Sequence, residues 1–209
     1  MSTMTLDMDE SVIVFANRRL PAARFPELIG QFLKGNPKTA SIERASKALA
    51  TNGFPVNDVQ TFILSVCRWG GKSGSRVWGM VRKNDPAAVA AALKKAASAF
   101  DKPNVSLADA MHSLNQVKGL GAISYSSKVL RFLSPERCAT FDSLLAADLG
   151  LPATAQSFET WSHDCSTVAS QLNSLQLCAA PPHSSVWRTA DVEASIFTEL
   201  HPGVVSYCG

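Results

Sequence analysis

From Pro26 to Pro202 the chain keeps returning to one pattern: apolar residues recur at helical spacing for a few turns, and then Gly, Pro or Asn cuts the run. Almost nothing alternates with period two over a useful length, so the expected fold is all-α or nearly so. Pro26 in a first turn, with Leu28, Ile29, Phe32 and Leu33 behind it, predicts a helix that stops near Gly35-Asn36-Pro37. Ser41 to Leu49 predicts a second, ended by Asn52-Gly53, and Asn57 or Asp58 is the expected cap of a third carrying Val59, Phe62, Ile63 and Val66. Pro86 to Phe100 is helical on alanine propensity alone. Thr154 to Leu177 reads as a long helix, and Ser184 or Ser185 as the start of the last one. Residues 1–20 read as an N-terminal arm, with Val12-Ile13-Val14-Phe15 as a short strand or irregular packing segment, and residues 21–209 as a single helical domain.

Composition narrows the function classes. With 46% hydrophobic and 18% charged residues, the chain can bury a core and is not of the disordered type. It has no 18-residue apolar run, and Asp7, Asp9 and Glu10 stand where a signal peptide would carry positive charge. A cytoplasmic protein without a membrane partner is the expectation. Cys67, Cys138, Cys165, Cys178 and Cys208 are odd in number, widely spaced and without a CxxC pair, which argues against a disulfide framework or a four-cysteine metal site. Most are expected as small buried hydrophobes. His163 and Asp164 are adjacent and cannot share a helix face, so packing or solvated roles are expected there, and no metal site is predicted. A formal charge of +3 permits a polyanionic partner without requiring one.

The chemistry concentrates in residues 106–133. Ser106 and Asp109 begin a helix with Leu107, Ala110, Met111 and Leu114 on its apolar stripe; Ser124 to Phe132 forms another; Gly119-Leu120-Gly121 lies between them. The two glycines permit positive φ or a close backbone approach, and Leu120 is placed to plug the groove between the flanking helices. The helix starting near Ala122 would point unpaired N–H groups and its dipole at a phosphate. The turn's carbonyls are an expected site for a monovalent cation, although no cofactor is required. Lys118, Lys128, Arg131 and Arg137 make the neighbourhood locally basic, with Lys128 and Arg131 expected on the surface as phosphate contacts. The Gly-rich stretch Lys72 to Gly79 lacks the order of a phosphate loop and reads as a turn, with Lys72 or Arg76 as possible backbone contacts to DNA.

The run Leu114 to Leu133, together with Phe141-Asp142-Ser143, resembles the helix-hairpin-helix DNA glycosylase superfamily, and within it the 8-oxoguanine glycosylase-fold branch. That superfamily carries a Leu-Pro-Gly-x-Gly hairpin followed roughly twenty residues later by an essential Asp at a helix start. Here Gly121 and Asp142 are 21 residues apart. The resemblance implies a two-lobed glycosylase-like helical fold and a monomer that acts on DNA. Lys118, Gly119, Leu120, Gly121, Ala122, Lys128 and Arg131 would lie on the DNA side, with Asp142 as the catalytic carboxylate. It also implies a base pocket lined partly by the last helix, around Trp187 and Phe197.

One departure bears on the chemistry. Bifunctional members place a Schiff-base Lys two residues after the second hairpin Gly, where this chain has Ile123, which cannot attack a sugar carbon. Lys128 lies five residues on, about 140° around the helix. The implied activity is therefore monofunctional excision of a damaged or modified base by hydrolysis of the N-glycosidic bond. A non-catalytic DNA-binding protein using the same hairpin is the alternative, and a structural interaction protein a third class. A glycosylase expects Asp142 in a concave cleft. The non-catalytic reading expects it spent on a helix cap or its pocket filled.

Overall fold

The computed structural model describes residues 3–101 and 106–203; Cys208 lies outside them. Ten α-helices and one small sheet make up these residues, so the mostly helical expectation holds. Val12–Phe15 is a strand, one of the two readings the sequence allows, but the residues around it form a sheet instead of an arm. Strands β1 (Met4–Asp7), β2 (Val12–Phe15) and β3 (Arg18–Pro21) form an antiparallel meander in the order β1-β2-β3. Val14 is only partly exposed on the outer side, while Ile13, Phe15 and Leu20 are buried. Four-residue strands are too short for a period-two signal to stand out.

The helices are α1 (Phe25–Gly35), α2 (Thr39–Thr51), α3 (Val56–Trp69), α4 (Gly74–Val81), α5 (Pro86–Ala99), α6 (Leu107–Leu114), α7 (Ile123–Leu133), α8 (Ser143–Asp148), α9 (Ala155–Leu175) and α10 (Thr189–Leu200). Two starts differ from the sequence reading. Pro55, not Asn57 or Asp58, precedes α3, so those two side chains fall inside its first turn. The last helix begins at Thr189 rather than near Ser184, because the Asp191 carboxylate reaches back to accept the Arg188 N–H there. The Gly-rich stretch after Lys72 also becomes helix: α4 forms where a turn was expected.

Helix α1 packs along α10, α10 on α9, α5 on α6, and α3 on both α4 and α5. Helix α7 runs through the middle, touching α2, α3, α5, α6 and α9. One hydrophobic cluster runs continuously from Met4 and Ile13 in the sheet through Phe62, Leu120 and Trp161 to Phe197. Trp187 packs edge-to-face on Phe25 of α1 with centroids 5.7 Å apart, and Phe197 is buried, so the tryptophan and phenylalanine expected to line a base pocket both lie in the packed core.

Candidate functional site

The hairpin forms as the sequence predicts. Ser106 caps α6 through its hydroxyl, and Val117 and Leu120 close the turn with N–H bonds to Leu114 O (3.0 Å) and Val117 O (2.9 Å). Leu120 is fully buried and plugs the interhelical groove. Gly119 is required twice over. Its φ is +104°, and a Cβ there would lie 3.0 Å from Val77 O on α4. Asn84, just past α4, grips Lys118 from both sides: the Lys118 N–H donates to Oδ1 at 2.9 Å and the Lys118 carbonyl accepts from Nδ2 at 3.0 Å. The hairpin is thereby clamped to α4.

Gly121, Ala122 and the Lys118 side chain face solvent, and α7 begins without a side-chain cap. Its first N–H groups are therefore open to an anion. The turn's carbonyls are differently disposed. Those of Val117, Lys118, Leu120 and Ala122 each accept a hydrogen bond from within the chain, Leu120 O from the Ser126 hydroxyl, so a cation is not needed to satisfy them.

The two cations expected on the surface beyond the hairpin are inside the protein. Lys128 and Arg131 have side chains only 2% and 1% exposed. A helix crossing the middle of the fold is covered on every face, so a polar stripe at positions 124, 127, 128 and 131 turns towards other elements instead of water. Lys128 Nζ lies 3.2 Å from Asp142 Oδ2 and 3.1 Å from Ser124 Oγ, and 5.5 Å from the centre of the Tyr125 ring. Arg131 instead donates to Glu43 Oε1 at 3.1 Å. Neither can act as a surface phosphate contact.

Asp142 starts a helix, as its spacing predicts, and uses its two oxygens differently. Oδ1 accepts the N–H groups of Leu144 and Leu145 at 3.1 Å each, capping α8, while Oδ2 faces Lys128. The strand-like approach to it is pinned along its length. Ala139 N–H donates to Ser162 Oγ, Thr140 N–H to Glu193 Oε2, and Phe141 N–H to Ser127 Oγ; Trp161 Nε1 donates to Thr140 O. Such a frame fixes the carboxylate's position closely.

The amine and carboxylate do not stand in an open cleft. The Asp142 side chain is 9% exposed, and the turn between α3 and α4 lies over Lys128. A Cβ on Gly70 would meet Tyr125 Cε1 at 2.8 Å and Lys128 Cδ at 3.2 Å, so only glycine lets that turn settle so low. Tyr125 fastens it, its hydroxyl donating to Gly70 O at 3.3 Å and sharing a hydrogen bond with Ser73 Oγ at 3.0 Å. Burial pushes the Tyr125 hydroxyl above its ordinary range, more than offsetting the opposing hydrogen bond with Ser73, so the phenol is a neutral latch.

A second buried group was not expected from the sequence. Glu43 on α2 bridges Arg131 and Arg188, accepting from Arg188 Nη1 at 2.9 Å and Nη2 at 3.3 Å. Arg188 also forks onto Asp191, with Nε–Oδ2 2.9 Å and Nη2–Oδ1 2.8 Å, and His183 Nε2 lies 3.0 Å from Asp191 Oδ1. Burial pushes the Asp191 carboxyl up, but hydrogen bonds from Arg188 and His183 more than offset it and hold the group at about 2. Between the two ionic groups sits Glu193, whose carboxyl burial raises to about 7.

Asp164 also has a packing role, accepting from both the backbone N–H and the hydroxyl of Thr3 at 2.6 Å and tying α9 to the sheet, while His163 is exposed. Cys67, Cys138 and Cys165 are buried, and Cys178 half-buried, with burial pushing the Cys67 thiol up to about 12. Among the described residues no group of His, Cys, Asp and Glu could hold a metal ion, and no helix is long and apolar enough to cross a membrane. Comparison of the chain with protein-family models, with curated proteins and with solved structures gives no match in any of the three.

Proposed function

We propose that this protein is a DNA glycosylase of the helix-hairpin-helix type, excising a damaged or modified base by hydrolysis of the N-glycosidic bond. The observation that carries the reading is the Lys128–Asp142 pair behind the hairpin. Lys128 follows the first residue of α7 by five positions, about 7.5 Å of helix rise. A strand held by its phosphate at the open start of α7 would thus have a sugar within reach of a fixed carboxylate. With the nucleotide rotated out of the duplex, departure of the base leaves positive charge on the sugar, which Asp142 is positioned to stabilise while water adds to the anomeric carbon. The turn over Lys128 has to lift for this, and Gly70, Gly71 and the Tyr125 latch are its moving parts.

Two observations frame rival outcomes. Lys128 supplies an amine beside the carboxylate although Ile123 occupies the family's usual position, so strand cleavage through a covalent imine is the outcome to test against pure hydrolysis. Asp142 spends one oxygen on the α8 cap and is covered, which is what a non-catalytic DNA-binding protein expects.

The test is incubation with duplex and single-stranded oligonucleotides carrying a panel of modified bases, including 8-oxoguanine, scoring abasic sites separately from strand breaks. Abasic product that disappears in Asp142→Asn supports the proposal. Borohydride trapping that is lost in Lys128→Met would replace hydrolysis with lyase chemistry. DNA binding without either product would assign the protein to the non-catalytic class.

A further inference from the structure

The α3–α4 corner carries a concentration of positive charge that the hairpin argument leaves unused. Between Asp58 and Asp85 the sequence contains Arg68, Lys72, Arg76, Arg82 and Lys83 and no acidic residue. All five side chains are exposed, and among the described residues none of them ion-pairs within the chain. Asn84 joins the end of α4 to the hairpin through Lys118, which is also exposed, so the basic corner is tied to the hairpin.

A groove of about 320 Å³ runs between the two helices. Leu64, Cys67 and Trp78 form its apolar lining, and Arg68 and Arg82 stand at its edge. Trp78 is the half-exposed member of the tryptophans, whereas Trp69 and Trp161 are 0% and Trp187 3% exposed. An indole face in a groove with two unpaired guanidiniums matches the two parts of a nucleotide. A base stacks on the ring whatever its sequence, and the backbone phosphate is taken by arginine. A protein ligand would not explain the one-sided charge, and a lone phosphate would not explain the apolar lining.

We propose that the α3–α4 groove is a nucleotide subsite, holding one unpaired base against Trp78 and its phosphate against Arg68 and Arg82. The proposal rests on the DNA reading above but concerns a position outside the Lys128–Asp142 site, and it gives the protein a preference for strands with an unpaired nucleotide beside the hairpin contact.

The experiment uses the full chain with an oligothymidylate, a duplex, and a duplex bearing one unpaired nucleotide, read by fluorescence anisotropy over a salt series. With its three companions buried, Trp78 is the tryptophan that acrylamide quenches, so the bound oligonucleotide should shield it. Trp78→Ala is expected to weaken oligothymidylate binding about tenfold. Arg68→Ala with Arg82→Ala should flatten the salt slope by roughly 0.7 per arginine. Gly79→Leu serves as a fold-preserving block, since a Cβ at that helical position meets nothing within 4 Å and the added side chain enters the groove. It should reproduce the Trp78→Ala loss while leaving duplex binding through Lys118 and the hairpin intact. Binding of oligothymidylate without shielding, and with Gly79→Leu unchanged, would overturn the subsite while leaving the glycosylase proposal standing. Failure to bind any of the three DNAs would overturn both.

Discussion

Two buried ionic groups are anchored on α7, one turn apart, and they are built on different principles. At Arg131 the charges are interlocked. Glu43 takes two guanidiniums, Arg188 forks onto Asp191, and His183 fills the remaining direction, so each charge is held by several directed bonds. At Lys128 the ammonium donates to one Asp142 oxygen and to Ser124 Oγ on its own helix, and the other Asp142 oxygen belongs to a helix cap. A guanidinium fork fixes geometry, while an ammonium on a four-carbon stem can swing away and leave the carboxylate in place. The first arrangement suits a structural clamp joining α2, α7 and the start of α10. The second suits the proposed glycosylase reading, in which the pair parts when substrate arrives.

The sharpest way to break the comparison is Glu43→Ala. It strands Arg131 and Arg188 without a shared partner in the interior, and the expected loss is about 3–5 kcal/mol in denaturant unfolding. A loss under about 1 kcal/mol would mean that the arginines find other partners and that the cluster is no clamp.

Asp142 should respond in two separable ways. Asp142→Ala removes both the cap and the counter-ion of Lys128, with an expected cost of about 3 kcal/mol. Asp142→Asn keeps an acceptor for the Leu144 and Leu145 N–H groups and should recover about 1 kcal/mol of that. If base excision is present it should vanish in both. Equal stability of the two variants would show that the cap contributes little, and retained excision in the folded Asn variant would remove Asp142 from the chemistry.

The helices were legible because each carries its own period and its own stop signals. Asp142 was legible because its capping role and its spacing from Gly121 are both local. Lys128 and Arg131 were misread for the same reason. On α7 they occupy a polar stripe that, on an ordinary helix, faces water, and their partners Asp142 and Glu43 lie 14 and 88 residues away. Nothing within the segment announces that a central helix is covered on that side. Gly70 was likewise invisible as a site residue: its importance comes from Tyr125 and Lys128, which reach it across the fold. Of the sheet only Val12–Phe15 was legible, as a short strand or irregular segment; the four-residue strands on either side offer too few alternations to count.

Glu193 gives the finest probe of the difference between the clamp and the pair, since it lies near both and belongs to neither. Its carboxyl is 1% exposed, accepts the Thr140 N–H through Oε2, and leaves Oε1 without a partner among the described residues. Burial raises it from 4.5 to about 7, with Arg131 and Lys128 opposing the shift and Asp142 adding to it. A carboxyl that ionises later in the folded chain than in the unfolded one keeps its proton on folding, so stability falls as pH rises from about 4.5 to about 7. Glu193→Gln retains an acceptor for Thr140 and removes the titration. The variant should match the parent below that window and exceed it above, by on the order of 3 kcal/mol. Thermal unfolding of both proteins across the window checks this. Parallel profiles would mean that Glu193 is ionised throughout, drawn down by Arg131 and Lys128, and that the two ionic groups act as one electrostatic unit and not as a clamp beside a separable pair.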